Sequence, residues 1–158
     1  MSVGATATME AWTRAEKPNL SWSHPWASAP VSAVVWGLFG IVPTAPTFSS
    51  FSCKPQTGNL THASIKVPTA RGEIVASFVA EVASHTFQLN LSPPAGSVAQ
   101  VCLPSLGLPG VTLTIDGKIV EGYAMRDYVC VDRVGSGGAA GRIIVRGKVL
   151  RTQLSVNL

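Results

Sequence analysis

The chain has 158 residues, enough for one domain with a well-buried core or for one domain plus part of another. Hydrophobic residues make up 46% and charged residues only 13%, a low share for a self-sufficient soluble domain, so part of the surface is expected to be covered. The formal charge of +4, from 12 basic and 8 acidic residues, contains no dense basic run, which argues against nucleic-acid binding.

The first element is a tryptophan-rich head, Met9 to Pro46. All four tryptophans of the chain (Trp12, Trp22, Trp26, Trp36) lie in it, with a carboxylate at Glu10 and an imidazole at His24 in a turn-like SWSHPW. Tryptophans, a carboxylate and an imidazole together are the chemistry of a sugar site. Gly4 to Trp12 reads as a short helix or an extended loop, and Lys17, Pro18 and Asn19 mark a turn. A helix follows, capped by Ser23 or Ser28, with Pro25 and Pro30 tolerated in a first turn. Val31, Val34, Val35 and Leu38 recur at helical spacing, and Trp36 and Phe39 add apolar surface on the other side. A helix apolar nearly all round expects burial. Gly40 suits its C-terminal end, and Pro43 and Pro46 prevent continuation.

From Thr47 the period changes to two. Successive strands are carried by Phe48, Phe51 and Cys53; by Ala63, Ile65 and Val67; by Ile74, Ala76, Phe78 and Ala80; and by Phe87, Leu89 and Leu91. Ala99, Val101 and Leu103 follow a PPAG turn, and Val111, Leu113 and Ile115 lead into Asp116-Gly117, a type I′ hairpin signal. Tyr128, Cys130 and Asp132 form another run, Gly135 to Gly141 a turn, and Ile143 to Val156 the closing strands. Many short strands with Gly/Pro turns predict a mainly β chain, an antiparallel β-sandwich preceded by one or two helices. The proline-punctuated Pro43–Pro46 marks the boundary, dividing the chain into 1–43 and 44–158.

The three cysteines, Cys53, Cys102 and Cys130, lack CxxC spacing, so buried thiols are expected; secretion would allow one pair to bridge, and the spacing does not choose it. Arg142 to Arg151 reads as the solvated face of a strand pair. His62 and His85 read as surface strand residues, and Asp127 and Asp132 as solvent-facing flanks of a strand. No phosphate loop, nucleotide fingerprint, Ser-His-Asp arrangement or metal-ligand spacing appears, so neither cofactor nor metal is expected. The longest apolar run, Val31 to Val42, is too short and glycine-interrupted to cross a bilayer, and MSVGATATMEAW lacks the regions of a signal peptide. Sequons at Asn19, Asn59 and Asn90 matter only in a glycosylating compartment, and none is assigned.

The stretch GATATMEAWTRAEKPNLSWSHPWASAPVSAVVWGLFGIVPTAPTFSSFSCKPQTGNL resembles the end of glycoside hydrolase family 78, the α-L-rhamnosidases. There a Gly-Ala-Thr stretch leads to a glutamate followed by tryptophan, then to a histidine-bearing turn and a GI-x-P segment. Further motifs continue the resemblance at Val67 to Ile74, at PAGSVAQVCLP (Pro94 to Pro104) and at Gly135 to Gly137. The likeness runs to Val145; GGAAG departs from the family after Gly137, and Arg146 to Leu158 has no counterpart.

The resemblance implies hydrolysis of terminal α-L-rhamnosyl groups with inversion, on an (α/α)6 barrel joined to a C-terminal sandwich. Inversion needs two carboxyl groups about 6.5–9.5 Å apart, one protonating the leaving oxygen and one activating water. By resemblance Glu10 is the general base, and Trp12 and His24 contact the sugar; a helix-capping role for His24 stays open. The remaining carboxylates scatter, and none pairs with Glu10 as its acid. Residues 1–43 are then the last barrel elements. The expected partners are rhamnosylated glycosides, and either the rest of the barrel or a second copy docking on residues 28–40. The chain alone is expected to be inactive. A carbohydrate-binding or assembly module without catalysis is the other reading.

Overall fold

The computed structural model describes residues 7–81, 83–105, 111–135 and 143–149. Gly4, most of the predicted Gly135–Gly141 turn, Arg142, Arg151 and the end of the predicted Ile143–Val156 strands lie outside the described residues.

Among the described residues, eleven strands form two sheets. The first sheet joins β1 (Val42–Pro43), β2 (Ser50–Cys53), β6 (Val98–Pro104), β10 (Tyr128–Gly135) and β9 (Tyr123–Met125), in that order. The second joins β3 (His62–Thr69), β4 (Gly72–Glu81), β5 (Thr86–Ser92), β11 (Ile143–Val149), β7 (Val111–Ile115) and β8 (Lys118–Val120). The predicted mainly β sandwich is therefore present. Its pairing is antiparallel except where β2 runs parallel to β6. His85 lies in a turn with φ of 50°, not in a strand.

Alternation produces the core. In β5, Phe87, Leu89 and Leu91 point inward while Gln88 and Asn90 are half-exposed; in β4, Ile74, Ala76, Phe78 and Ala80 do the same. Together with Phe51, Val101, Leu103 and Val145 they fill the space between the sheets. The Asp116-Gly117 turn has positive φ at both residues, 50° and 81°, as a type I′ hairpin requires.

Cys102 and Cys130 are register partners on β6 and β10 and are joined by a disulfide. This corrects the expectation of three thiols: pairing across strands distant in sequence brings the two sulfurs together, which sequence spacing does not encode. Cys53 stays a buried thiol, its pKa pushed up to about 12 by desolvation.

Among the described residues, one helical stretch precedes the sandwich. It is 3-10 over Pro25–Ser28, α over Ala29–Ser32 and π over Ala33–Leu38. The Phe39 N–H donates to the Val34 carbonyl at 3.1 Å, five residues back, and the Ile41 N–H to Val35 at 2.9 Å. This widened turn breaks the predicted helical face: Val35 and Leu38 pack on the core, whereas Val31 and Val34 are exposed. Gly40 ends the helix with φ of 61°, and a Cβ there would lie 2.2 Å from the Lys54 carbonyl oxygen. That close approach lets Phe39 and Leu38 carbonyls accept the N–H groups of Lys54 (3.1 Å) and Gln56 (2.9 Å), fastening the helix end to the sandwich. Phe39 and Ile41 enter the core, with the Phe39 ring 5.5 Å from that of Phe78.

Candidate functional site

Residues 7–13 have no helix and run as an extended loop that folds back on residues 20–24. Backbone bonds tie the two together: the Glu10 N–H donates to Ser21 O (3.0 Å) and the His24 N–H to Thr8 O (2.8 Å). The Lys17–Asn19 turn, closed by the Leu20 N–H on Lys17 O at 3.1 Å, returns the chain. Leu20 is the one described residue before Phe39 that is buried.

This loop pair fixes the Glu10 carboxylate. One oxygen accepts the Ser21 N–H at 3.0 Å, and the other pairs with the Lys17 ammonium. The His24 Nδ1 stands 4.0 Å from that second oxygen. The Lys17 hydrogen bond, then the Ser21 N–H, hold the Glu10 pKa below its ordinary value, outweighing desolvation, with Lys17 and His24 charge adding to the effect. Glu10 is thus a fixed carboxylate, four-fifths buried at its side chain, at the edge of an open surface.

The structure brings Glu10 and His24 together. His24 occupies the N-cap position of the Pro25–Ser28 turn, but its side chain makes no capping bond; nor do the side chains of Ser28, whose Oγ meets Thr8 Oγ1 at 3.1 Å, or of Ser23 cap a helix. Trp12 is 88% exposed. Trp26 is 86% exposed, with its ring 6.3 Å from that of His24, and Trp36 is 59% exposed. Trp22 lies under the Arg14 guanidinium at 5.8 Å. No carboxyl group is among the described partners of Glu10. Asp132 accepts hydrogen bonds from Gln100 (3.0 Å) and Tyr123 (2.9 Å) on the first sheet instead.

Sequence reasoning missed Lys17 and Ser21. Lys17 lies seven residues from Glu10 along a segment that is not helical, so no period brings the two together; only the turn at Lys17 gave a signal.

Among the described residues no cluster of three His, Cys, Asp or Glu side chains is placed to hold a metal, and no helix is long and apolar enough to cross a membrane.

Residues 40–116 match the bacterial alpha-L-rhamnosidase C-terminal domain family. This segment is a domain of that family. The fold around it agrees. An alpha-L-rhamnosidase from Dictyoglumus thermophilum superposes with a TM-score of 0.72 at 16% identity, over 92% of this chain and 16% of that one. A Streptomyces avermitilis alpha-L-rhamnosidase complexed with L-rhamnose superposes with a TM-score of 0.67 at 21% identity, over 93% of this chain and 14% of that one. The chain thus spans a small share of either protein. No curated protein sequence matches the chain.

Proposed function

We propose that the chain is the C-terminal part of an α-L-rhamnosidase-like, inverting glycoside hydrolase. Residues 1–43 supply the end of its catalytic barrel and residues 44–158 its sandwich. The observation that carries this reading is Glu10, held ionised by Lys17 and Ser21 beside His24, on a head joined to a rhamnosidase C-terminal domain. An ionised carboxylate is what a general base needs. In the proposed step Glu10 takes a proton from a water whose oxygen attacks the anomeric carbon, while a carboxylic acid on the opposite face protonates the departing glycosidic oxygen. His24 would contact a sugar hydroxyl, and Trp12 would pack on the ring's C–H groups. The acid would come from barrel elements outside these residues, which would also cover Val31, Val34 and Trp36. The chain alone is then inactive.

Incubation of the purified chain with an aryl α-L-rhamnoside should release no phenol above background. Turnover by the chain alone that disappears in Glu10→Gln would overturn the inactivity and show a complete site. In a chain that does include the barrel, Glu10→Gln should abolish turnover while rhamnoside binding persists. Full activity in that variant would remove Glu10 as the base.

A further inference from the structure

We propose that Asn59 is an N-glycosylation site, the acceptor for an oligosaccharide carried on a lipid diphosphate. It is independent of the role given to Glu10.

The sequence supplies the acceptor triplet three times, and the fold ranks the copies. Every asparagine before Asn157 lies in an Asn-Leu-Ser or Asn-Leu-Thr triplet, at Asn19, Asn59 and Asn90. Asn59 is third in a turn over residues 57–60, which the Leu60 N–H closes on Thr57 O at 2.9 Å and Gly58 opens at φ of 52°. Residues 58–62 are exposed, and a Cβ at Gly58 would meet no atom within 4 Å. A bulky glycan has open space here. The Thr61 carbonyl accepts the Ala80 N–H at 2.7 Å, so β4 holds the end of the turn in place.

Asn90 is the contrasting case. Its amide is engaged within the sheet: Oδ1 accepts from Gln88 Nε2 and Nδ2 donates to Ser77 Oγ, both at 3.2 Å. It lies on β5, which is paired with β4 on one side and β11 on the other, so native pairing withdraws this triplet from a transferase. Asn19 is exposed in a turn, but its triplet ends in Ser21. The Ser21 N–H is held by Glu10 at 3.0 Å, and its Oγ donates to Ser23 O at 3.1 Å. Thr61, which ends the Asn59 triplet, is itself exposed, with Oγ1 3.3 Å from the exposed His62 Nδ1.

The compartment follows from a second, independent feature. A disulfide such as Cys102–Cys130 persists where thiols are oxidised, as on the secretory route, and not in a reducing cytosol. N-glycosyl transfer to asparagine belongs to that route. In the step, Asn59 Nδ2 bonds to C1 of the first sugar while the C1–O bond to the diphosphate breaks. The electron pair of that bond leaves with the lipid diphosphate, and an amide proton passes to a base of the transferase. The glycan would cover Leu60, 48% exposed, and add polar surface to a chain with only 13% charged residues.

Peptide mass spectrometry of the protein isolated from its own cells or medium, after peptide-N-glycosidase release in heavy-oxygen water, tests the site. Enzyme-dependent conversion of Asn59 to labelled aspartate is expected, with Asn90 unlabelled. Expressed in the same cells, Asn59→Gln and Thr61→Val should each remove the label at residue 59 completely. Thr61→Ser should keep it, which separates recognition of the hydroxyl from damage to the turn. The proposal is overturned by a bare Asn59, by label at Asn90, or by label at Asn59 that survives Thr61→Val.

Discussion

The head and the sandwich solve opposite problems with the same apolar composition. In the sandwich, Phe51, Phe78, Phe87, Leu89 and Leu91 are closed off between two sheets. In the head, Trp12, Trp26, Trp36 and Val31 face outward, and the loops are held by an ion pair and a few backbone bonds. Contiguous exposed apolar surface on a folded chain marks a place where something else packs. The difference separates a sandwich that buries its own apolar residues from a head that leaves its apolar residues exposed. The two meet at Gly40, where the helix ends against Lys54.

The largest test of this contrast is Phe78→Ala. Its ring stacks near Phe39 and Phe87 at 5.5 and 5.6 Å, so truncation leaves a cavity and should cost about 3–5 kcal/mol in urea unfolding. Gly40→Ala comes next. It forces an L side chain into a left-handed backbone and against a carbonyl, and about 3 kcal/mol of lost stability is expected. Replacing both Cys102 and Cys130 by Ala removes a cross-link spanning 28 residues and should cost about 2–4 kcal/mol, read from the same unfolding curves. Cys53 should stay unalkylated in the folded protein of either form, because burial keeps it a thiol.

The head should respond far less. Trp12→Ala and Trp26→Ala remove exposed rings and should change stability by no more than ~0.5 kcal/mol. A cost above about 2 kcal/mol would mean that these rings are packed in the free chain, and the contrast would fail. The smallest effect is local. Glu10 has a depressed folded pKa, so its contribution is fully present above its ordinary value of 4.5 and is lost as pH falls through the lower folded value. Hydrogen exchange at the Ser21 amide should therefore stay protected at pH 4.5 and open below it, before the sandwich amides do. Simultaneous loss in both regions would show that the head is not a separate polar assembly.

The sandwich was legible because its rule is local. Its longer strands show the period of two, and Asp116-Gly117 announces its own turn. β1 and β9 escaped notice because two or three residues cannot show a period. The helix was misread in one respect. Val31, Val34, Val35 and Leu38 share a face only at 3.6 residues per turn, and the π geometry at Ala33–Leu38 separates the first pair from the second. Glu10 and His24 were singled out by residue type, and the fold places them 4.0 Å apart. Trp12 was assigned to the sugar by resemblance, and the loop leaves its ring 88% exposed.

By itself the sequence determined the longer strands, the Asp116-Gly117 hairpin, the helix stop at Gly40 and a β-sandwich, since each depends on neighbours a few residues away. Only the tertiary structure decided the parallel β2–β6 pair, the Cys102–Cys130 bridge and the Lys17–Glu10 ion pair. These join residues through loop closures and strand pairings, whose energies come from packing that no local pattern records.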